Sequence, residues 1–131
     1  MKIRDVLRLL ADDGWYLART RGSHQQFKHP TKRGLVTVAG SPNDDVAPGT
    51  LKHPQAGRAQ AMKVLIVIEQ VTTGFSAYSP DIPGCIATGA TREEVERTMQ
   101  AAVEFHLEGL RAEGEAVPAP HSYATVIEVA A

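Results

Sequence analysis

The sequence predicts an α+β fold shared between two small modules, each with its own core. Three observations point there. An amphipathic helical pattern followed by short alternating strands fills the first half. A second run of strands, leading into one long helical pattern, fills the second. The two halves also differ in charge: residues 1–61 hold ten Lys/Arg and five Asp/Glu (+5), residues 62–131 hold four and ten (−6), and together these give the net −1 of the chain. Such opposed fields favour docking of the halves on each other, and the basic half alone favours a polyanion. Each half is short enough that its core is small and marginal without support.

Residues 3–13 read as a short helix, because Val6, Leu7, Leu10 and Ala11 share one side while Arg4, Arg8 and Asp12 lie opposite. Gly14 supplies the left-handed residue that ends it. A strand follows over residues 15–20, then a turn at Arg21-Gly22-Ser23 and a second strand over residues 24–28. The pleat sets His24, Gln26 and Lys28 on one face and Gln25 and Phe27 on the other. Phe27 is the core residue, so His24 and Lys28 are expected to face outward together. After a cationic turn through Lys32 and Arg33, residues 35–38 form a third strand with Val36 and Val38 inward.

Residues 40–49 are rich in Gly, Ser, Pro, Asn and Asp and read as loop. Thr50 is placed to cap a second helix from Leu51, but Pro54 removes an amide the helical ladder needs, so that helix is shortened. Residues 54–61 are a linker, and the second module begins at Met62, as end-to-end joining of two reading frames would leave it. Residues 63–70 form a strongly apolar strand, residues 75–78 an alternating one, and residues 85–88 a third. Thr91 caps a helix running to about Glu113, with Glu93 and Glu94 in the first turn where the dipole favours acids. Val95, Met99, Val103, Leu107 and Leu110 form its inward stripe. Pro118 and Pro120 precede a last strand over residues 123–129, giving the order β-β-β-α-β.

The lone Cys85 forms no internal disulfide and metal-ligand spacing is absent, which fits a reducing cytoplasm and predicts no metal and no cofactor. No secretory core and no membrane-spanning apolar run is present, so no membrane partner is expected.

His24 is the catalytic candidate. A solvated strand histidine is the bland alternative, but His24 follows Gly22-Ser23 and is surrounded by Arg19, Arg21, Lys28, Lys32 and Arg33. A histidine exchanges protons near neutral pH, and cations hold a phosphate and offset charge developing on it. RNA carries its own nucleophile in the 2′-hydroxyl, so its scission needs neither metal nor protein nucleophile. Asp44 and Asp45 read as turn and capping residues, His29 and His53 as surface or loop residues, and Tyr16 packs on the sheet or contacts a base. Glu93, Glu94, Glu96, Glu104 and Glu108 read as the solvated side of the long helix. His106 and His121 have no assigned role.

Two stretches resemble known families. Asp5-Val6-Leu7, Gly14-Trp15, the run Arg21-Gly22-Ser23-His24-Gln25-Gln26-Phe27-Lys28-His29-Pro30, Val36-Thr37-Val38 and Pro48-Gly49-Thr50-Leu51 make residues 1–53 similar to HicA toxins. The resemblance implies an mRNA interferase with a double-stranded-RNA-binding-like fold (helix, three-stranded antiparallel sheet, shortened second helix) and maps the family's catalytic histidine onto His24. Arg19, Arg21, Ser23, Lys28, Lys32 and Arg33 are then the RNA-binding residues. Gly74-Phe75-Ser76-Ala77-Tyr78, Pro80-Asp81-Ile82-Pro83-Gly84-Cys85, Ala87-Thr88-Gly89-Ala90-Thr91 and Glu104-Phe105-His106-Leu107 make residues 62–131 similar to the N-terminal domain of HicB antitoxins. That resemblance implies a partial ribonuclease-H-like module without nuclease activity.

Together they imply a toxin and its antitoxin in one cytoplasmic polypeptide, with mRNA as partner. The acidic module docks on the basic one within or between chains, in a homo-oligomer. The alternative is a non-catalytic antitoxin-like or RNA-binding protein with a degenerate first domain. No recognition-helix pattern follows the final strand, so specific DNA binding is not expected of this chain alone.

Overall fold

The computed structural model describes residues 1–47 and 63–130. Helix α1 spans Ile3–Asp12, with Ile3 and Val6 buried. Its start is fixed by the Lys2 amide, which donates to the Asp5 carboxylate at 2.9 Å. Gly14, at φ +96°, lets the chain reverse so that the Trp15 amide reaches the Leu10 carbonyl at 2.9 Å.

Strands β1 (Tyr16–Arg21), β2 (His24–Lys28) and β3 (Val36–Ala39) follow as an antiparallel meander. In the second half come β4 (Val67–Val71), β5 (Gly74–Tyr78) and β6 (Cys85–Gly89), then helix α2 over Arg92–Ala112. The Thr91 hydroxyl accepts from the Glu94 amide at 3.1 Å, the cap its position predicts.

The halves do not close separate sheets around separate cores, as their opposed charge led us to expect. They form one six-stranded mixed sheet in the order β1-β2-β3-β6-β5-β4. The join is a parallel pairing of β3 with β6, in which Thr37 lies opposite Cys85, Val38 opposite Ile86 and Ala39 opposite Ala87. Each half alone would leave an open strand edge here, and pairing removes both liabilities at once. Charge pattern reports where fields lie and carries no information about such edges.

Alternation along the strands divides the apolar residues between the sheet's two faces. On one face α1 packs Ile3 and Val6 on Phe27, Val38 and Val46, joined by Ile86 and Tyr78 from the second half. On the other, α2 packs Val95, Met99, Ala102 and Val103 on Ala77, Cys85, Ala87 and Ile82, joined by Ala39 from the first half. Both cores are therefore built from both halves. Each fully buried Ile, Val or Phe contributes about 1.5–3 kcal/mol, so separating the halves would weaken both faces.

The loop before residue 48 behaves as capping structure: Asp44 accepts from the Thr88 hydroxyl at 2.7 Å, and Asp45 pairs with Lys2 at 2.9 Å. The shortened second helix, the linker, His53 and Met62 lie outside the described residues.

Residues 123–129 correct a second expectation. They join no strand ladder and are exposed throughout, so the second half reads β-β-β-α among the described residues. Strand propensity is realised only where a ladder partner is present, and this segment finds none among the described residues. Tyr16 is also about half exposed on the edge strand β1, and so does not pack as a core residue.

Candidate active site

Strand β2 puts His24, Gln26 and Lys28 on one face, and the register of β1 places Arg19 opposite Gln26 and Arg21 opposite His24. Of the residues singled out from the sequence, His24, Lys28, Arg19 and Arg21 are gathered on these two adjacent strands. The sequence expectation was that His24 and Lys28 face outward. In the structure that face lies beneath α2, and both residues are half-buried.

Helix α2 buries further residues beyond the predicted stripe, among them Phe105, His106 and Gly109. The Phe105 ring stands edge-on to the His24 imidazole with centroids 6.4 Å apart. The Arg21 and Arg19 guanidinium carbons lie 4.7 and 5.3 Å from the Phe105 ring centre, within cation–π range. Glu108 accepts two hydrogen bonds from Arg21, both at 3.1 Å, so it is an ion-pair partner and not part of a merely solvated face. Lys28 pairs with Glu113, and Arg33 lies 3.8 Å from Glu115. Exposed pairs of this kind add little stability but fix orientation. Glu93, Glu94, Glu96 and Glu104 remain exposed, as expected.

Gln26 ties the layers together. Its side-chain oxygen accepts from Arg19 at 3.0 and 3.2 Å, and its amide donates to the Thr37 hydroxyl and the Phe105 carbonyl, each at 3.2 Å. Thr37, having accepted from Gln26, also shares a hydrogen bond of 2.7 Å with His106 Nδ1. Burial pulls the His106 pKa down to about 4. Gly109 permits the close approach: a Cβ there would meet the Gln26 oxygen at 2.3 Å.

His24 Nδ1 is sealed from solvent with no hydrogen-bond partner among the described residues. Burial, and secondarily the charge of Arg21, lower the His24 pKa and favour the neutral imidazole.

Not every predicted residue joins this cluster. Lys32 is held by Asp13 at 2.6 Å, at the end of α1, and Ser23 is an exposed turn residue. His29 is structural: it accepts from the amides of Thr31 and Lys32 at 3.1 and 3.0 Å and contacts the Asp13 carbonyl at 2.7 Å. No group of three or more potential metal ligands, and no helix long and apolar enough to cross a membrane, occurs among the described residues. Phe105, His106 and Gly109 are the contributors that sequence reading missed. Phe105 alone carried an apolar signal, since a histidine and a glycine do not mark a buried face.

The fold and site define a protein in which one helix covers a basic, histidine-bearing sheet face. The HicA toxin model of bacterial toxin–antitoxin systems matches residues 3–55, and the HicB-like antitoxin model of such systems matches residues 64–130. The second match spans just over half of the chain, which belongs to the HicB-like antitoxin family and carries a HicA-like domain ahead of it, as a toxin–antitoxin system protein. An uncharacterised 14.9 kDa protein from the rep–hol intergenic region of Haemophilus phage HP1 (strain HP1c1) is 38% identical over 53 residues. That match covers 40% of this chain and 40% of the phage protein. No solved structure gives a significant match.

Proposed function

We propose that the first module is a metal-independent endoribonuclease of the mRNA interferase type, with His24 as its acid–base group, held silent by the second module through α2. Residues 1–53 are then the double-stranded-RNA-binding-like toxin unit, residues 54–61 a linker and residues 62–131 a ribonuclease-H-like antitoxin unit, acting in the cytoplasm. The observation that carries the reading is the position of Phe105 and Glu108 over His24, Arg19 and Arg21.

With the helix displaced, Arg19, Arg21 and Lys28 are freed to hold an RNA phosphate, and Ser23, Lys32 and Arg33 extend the track along the backbone. The neutral His24 imidazole takes the proton of a 2′-hydroxyl as that oxygen bonds to the adjacent phosphorus. The bond from phosphorus to the 5′-oxygen breaks, and solvent returns a proton to the leaving oxygen. The products are a 2′,3′-cyclic phosphate and a 5′-hydroxyl. An unsatisfied buried nitrogen such as His24 Nδ1 costs on the order of 1–3 kcal/mol, a burden more readily retained at a site of chemistry than on a passive strand.

The same nitrogen supports a second reading. With no side chain orienting the ring, the first module is a degenerate RNA binder without turnover. The two separate on one experiment. The intact chain and a Phe105→Ala/Glu108→Ala variant are incubated with labelled single-stranded RNA in EDTA. We expect negligible cleavage by the former and cleavage to cyclic-phosphate ends by the latter. RNA binding without cleavage by the opened variant would establish the second reading, and equal cleavage by both would end the masking proposal.

A further inference from the structure

We propose that residues 123–130 form a strand donated to a second copy of this chain, which lays it along the outer edge of β4 and into the adjoining apolar groove, and receives the other copy's strand in return. The inference is independent of the RNA chemistry and starts from two unfilled features of the same chain.

The first is the segment itself. Tyr123, Val126, Ile127 and Val129 are 88, 94, 75 and 75% exposed. Their neighbours are Ala124, Thr125 and Ala130, with Glu128 the lone charge in the stretch. This is the composition of a strand: five of its eight residues are aromatic or β-branched, with no proline and no glycine. A solvated linker would be expected to be polar, and an isolated run of this kind left in water is an aggregation hazard unless something pairs with it.

The second is the acceptor. Strand β4 closes one end of the sheet, so its outer row of amides and carbonyls has no ladder partner among the described residues. Beside it lies a groove of about 500 Å³ lined by Val64, Ile66 and Ile68 from the edge and by Met99 and Val103 from α2, with Glu96, Gln100 and Glu104 at its rim. The lining residues on the edge recur at every second position, the spacing at which an added strand presents its own side chains.

Asp81 connects donor to acceptor. One of its oxygens accepts from the Leu65 amide at 3.1 Å, and the other from the amides of His121 and Ser122, each at 3.0 Å. A single buried carboxylate therefore roots the 123–130 segment beside the start of the very edge that carries the groove. A two-fold axis at that edge hands each segment to the other copy and satisfies both edges in one closed, self-complementary contact. Among the described residues the 123–130 segment joins no ladder, and all of it is exposed.

The test uses the whole chain. Light scattering coupled to size exclusion is expected to give twice the chain mass, and Ile127→Asp/Val129→Asp to give a single chain mass with an unchanged far-ultraviolet spectrum. Because those side chains are exposed in the single chain, the substitutions leave its folding intact. A second arm mixes a Val64→Cys chain with an Ile127→Cys chain under mild oxidation. A disulfide-linked pair containing one of each is expected. A monomeric parent protein, a dimer that survives the double substitution, or absence of the mixed disulfide would each overturn the proposal. The first of these is also the result expected if the segment folds back on its own β4.

Discussion

Replacing His24 by alanine in a chain already opened at Phe105 and Glu108 is expected to slow RNA cleavage by about 10²–10⁴-fold, the usual contribution of a positioned acid–base group. Cleavage should not vanish for want of a folded protein. The α1-facing side of β2 is held by Phe27, which packs with Ile3, Val6 and Val38, while His24 is only half-buried and has no hydrogen bond at Nδ1 to lose. Lys28→Ala in the same background separates binding from chemistry. Its ammonium is paired with Glu113, a contact that an RNA phosphate displaces when it binds the opened chain. RNA affinity should fall and its salt dependence should flatten, while the single-turnover rate at saturating RNA stays close to that of the opened parent. Quench-flow or gel-resolved kinetics on a labelled RNA check both. Undiminished cleavage by the His24 variant would move the chemistry elsewhere.

The second large effect is a loss of stability in mild acid, set by His106. Its pKa in the fold is about 4, against an ordinary 6.5. Between those values the unfolded chain binds a proton that the folded chain refuses. Stability is therefore fully present above about pH 6.5 and falls as pH is lowered toward about 4. The full difference amounts to about 3 kcal/mol. The cause is specific to the seam between the halves. Thr37 accepts from Gln26 and shares a hydrogen bond with His106 Nδ1, so charging the buried ring disturbs the network joining β2, β3 and α2. Urea denaturation from pH 7 to pH 4.5 should show the decline, and His106→Gln should flatten most of it. An equally steep decline in that variant would assign the effect to other groups.

How much of this was legible in the sequence follows from which interactions are local. Helix α1 and its Gly14 terminus, the Thr91 cap and the inward stripe from Val95 to Leu110 depend on spacings within a few residues, and each is found where those spacings put it. The basic cluster around His24 was readable for the same reason, since β1 and β2 form one hairpin with alternating side chains. The pairing of β3 with β6 was not, because it joins residues about fifty positions apart and no local signal names the partner of an open edge. The second face of α2 was missed through its composition. His106 and Gly109 carry no apolar signature, yet both are buried, one by its bond to Thr37 and the other by the closeness of Gln26. The last strand failed in the opposite sense: residues 123–129 have strand chemistry but no ladder among the described residues.

The central claim is that α2 covers the His24 face in the intact protein, and proton NMR titration of the His24 ring tests it most directly. In the intact chain the imidazole should titrate below the ordinary histidine value, because burial under the helix and the nearby Arg21 both disfavour its charged form. In the Phe105→Ala/Glu108→Ala chain, still folded by circular dichroism, the same resonance should move up toward about 6.5 as water reaches the ring. An ordinary, identical titration in both proteins would contradict the account, since it would mean that the helix never shields the histidine.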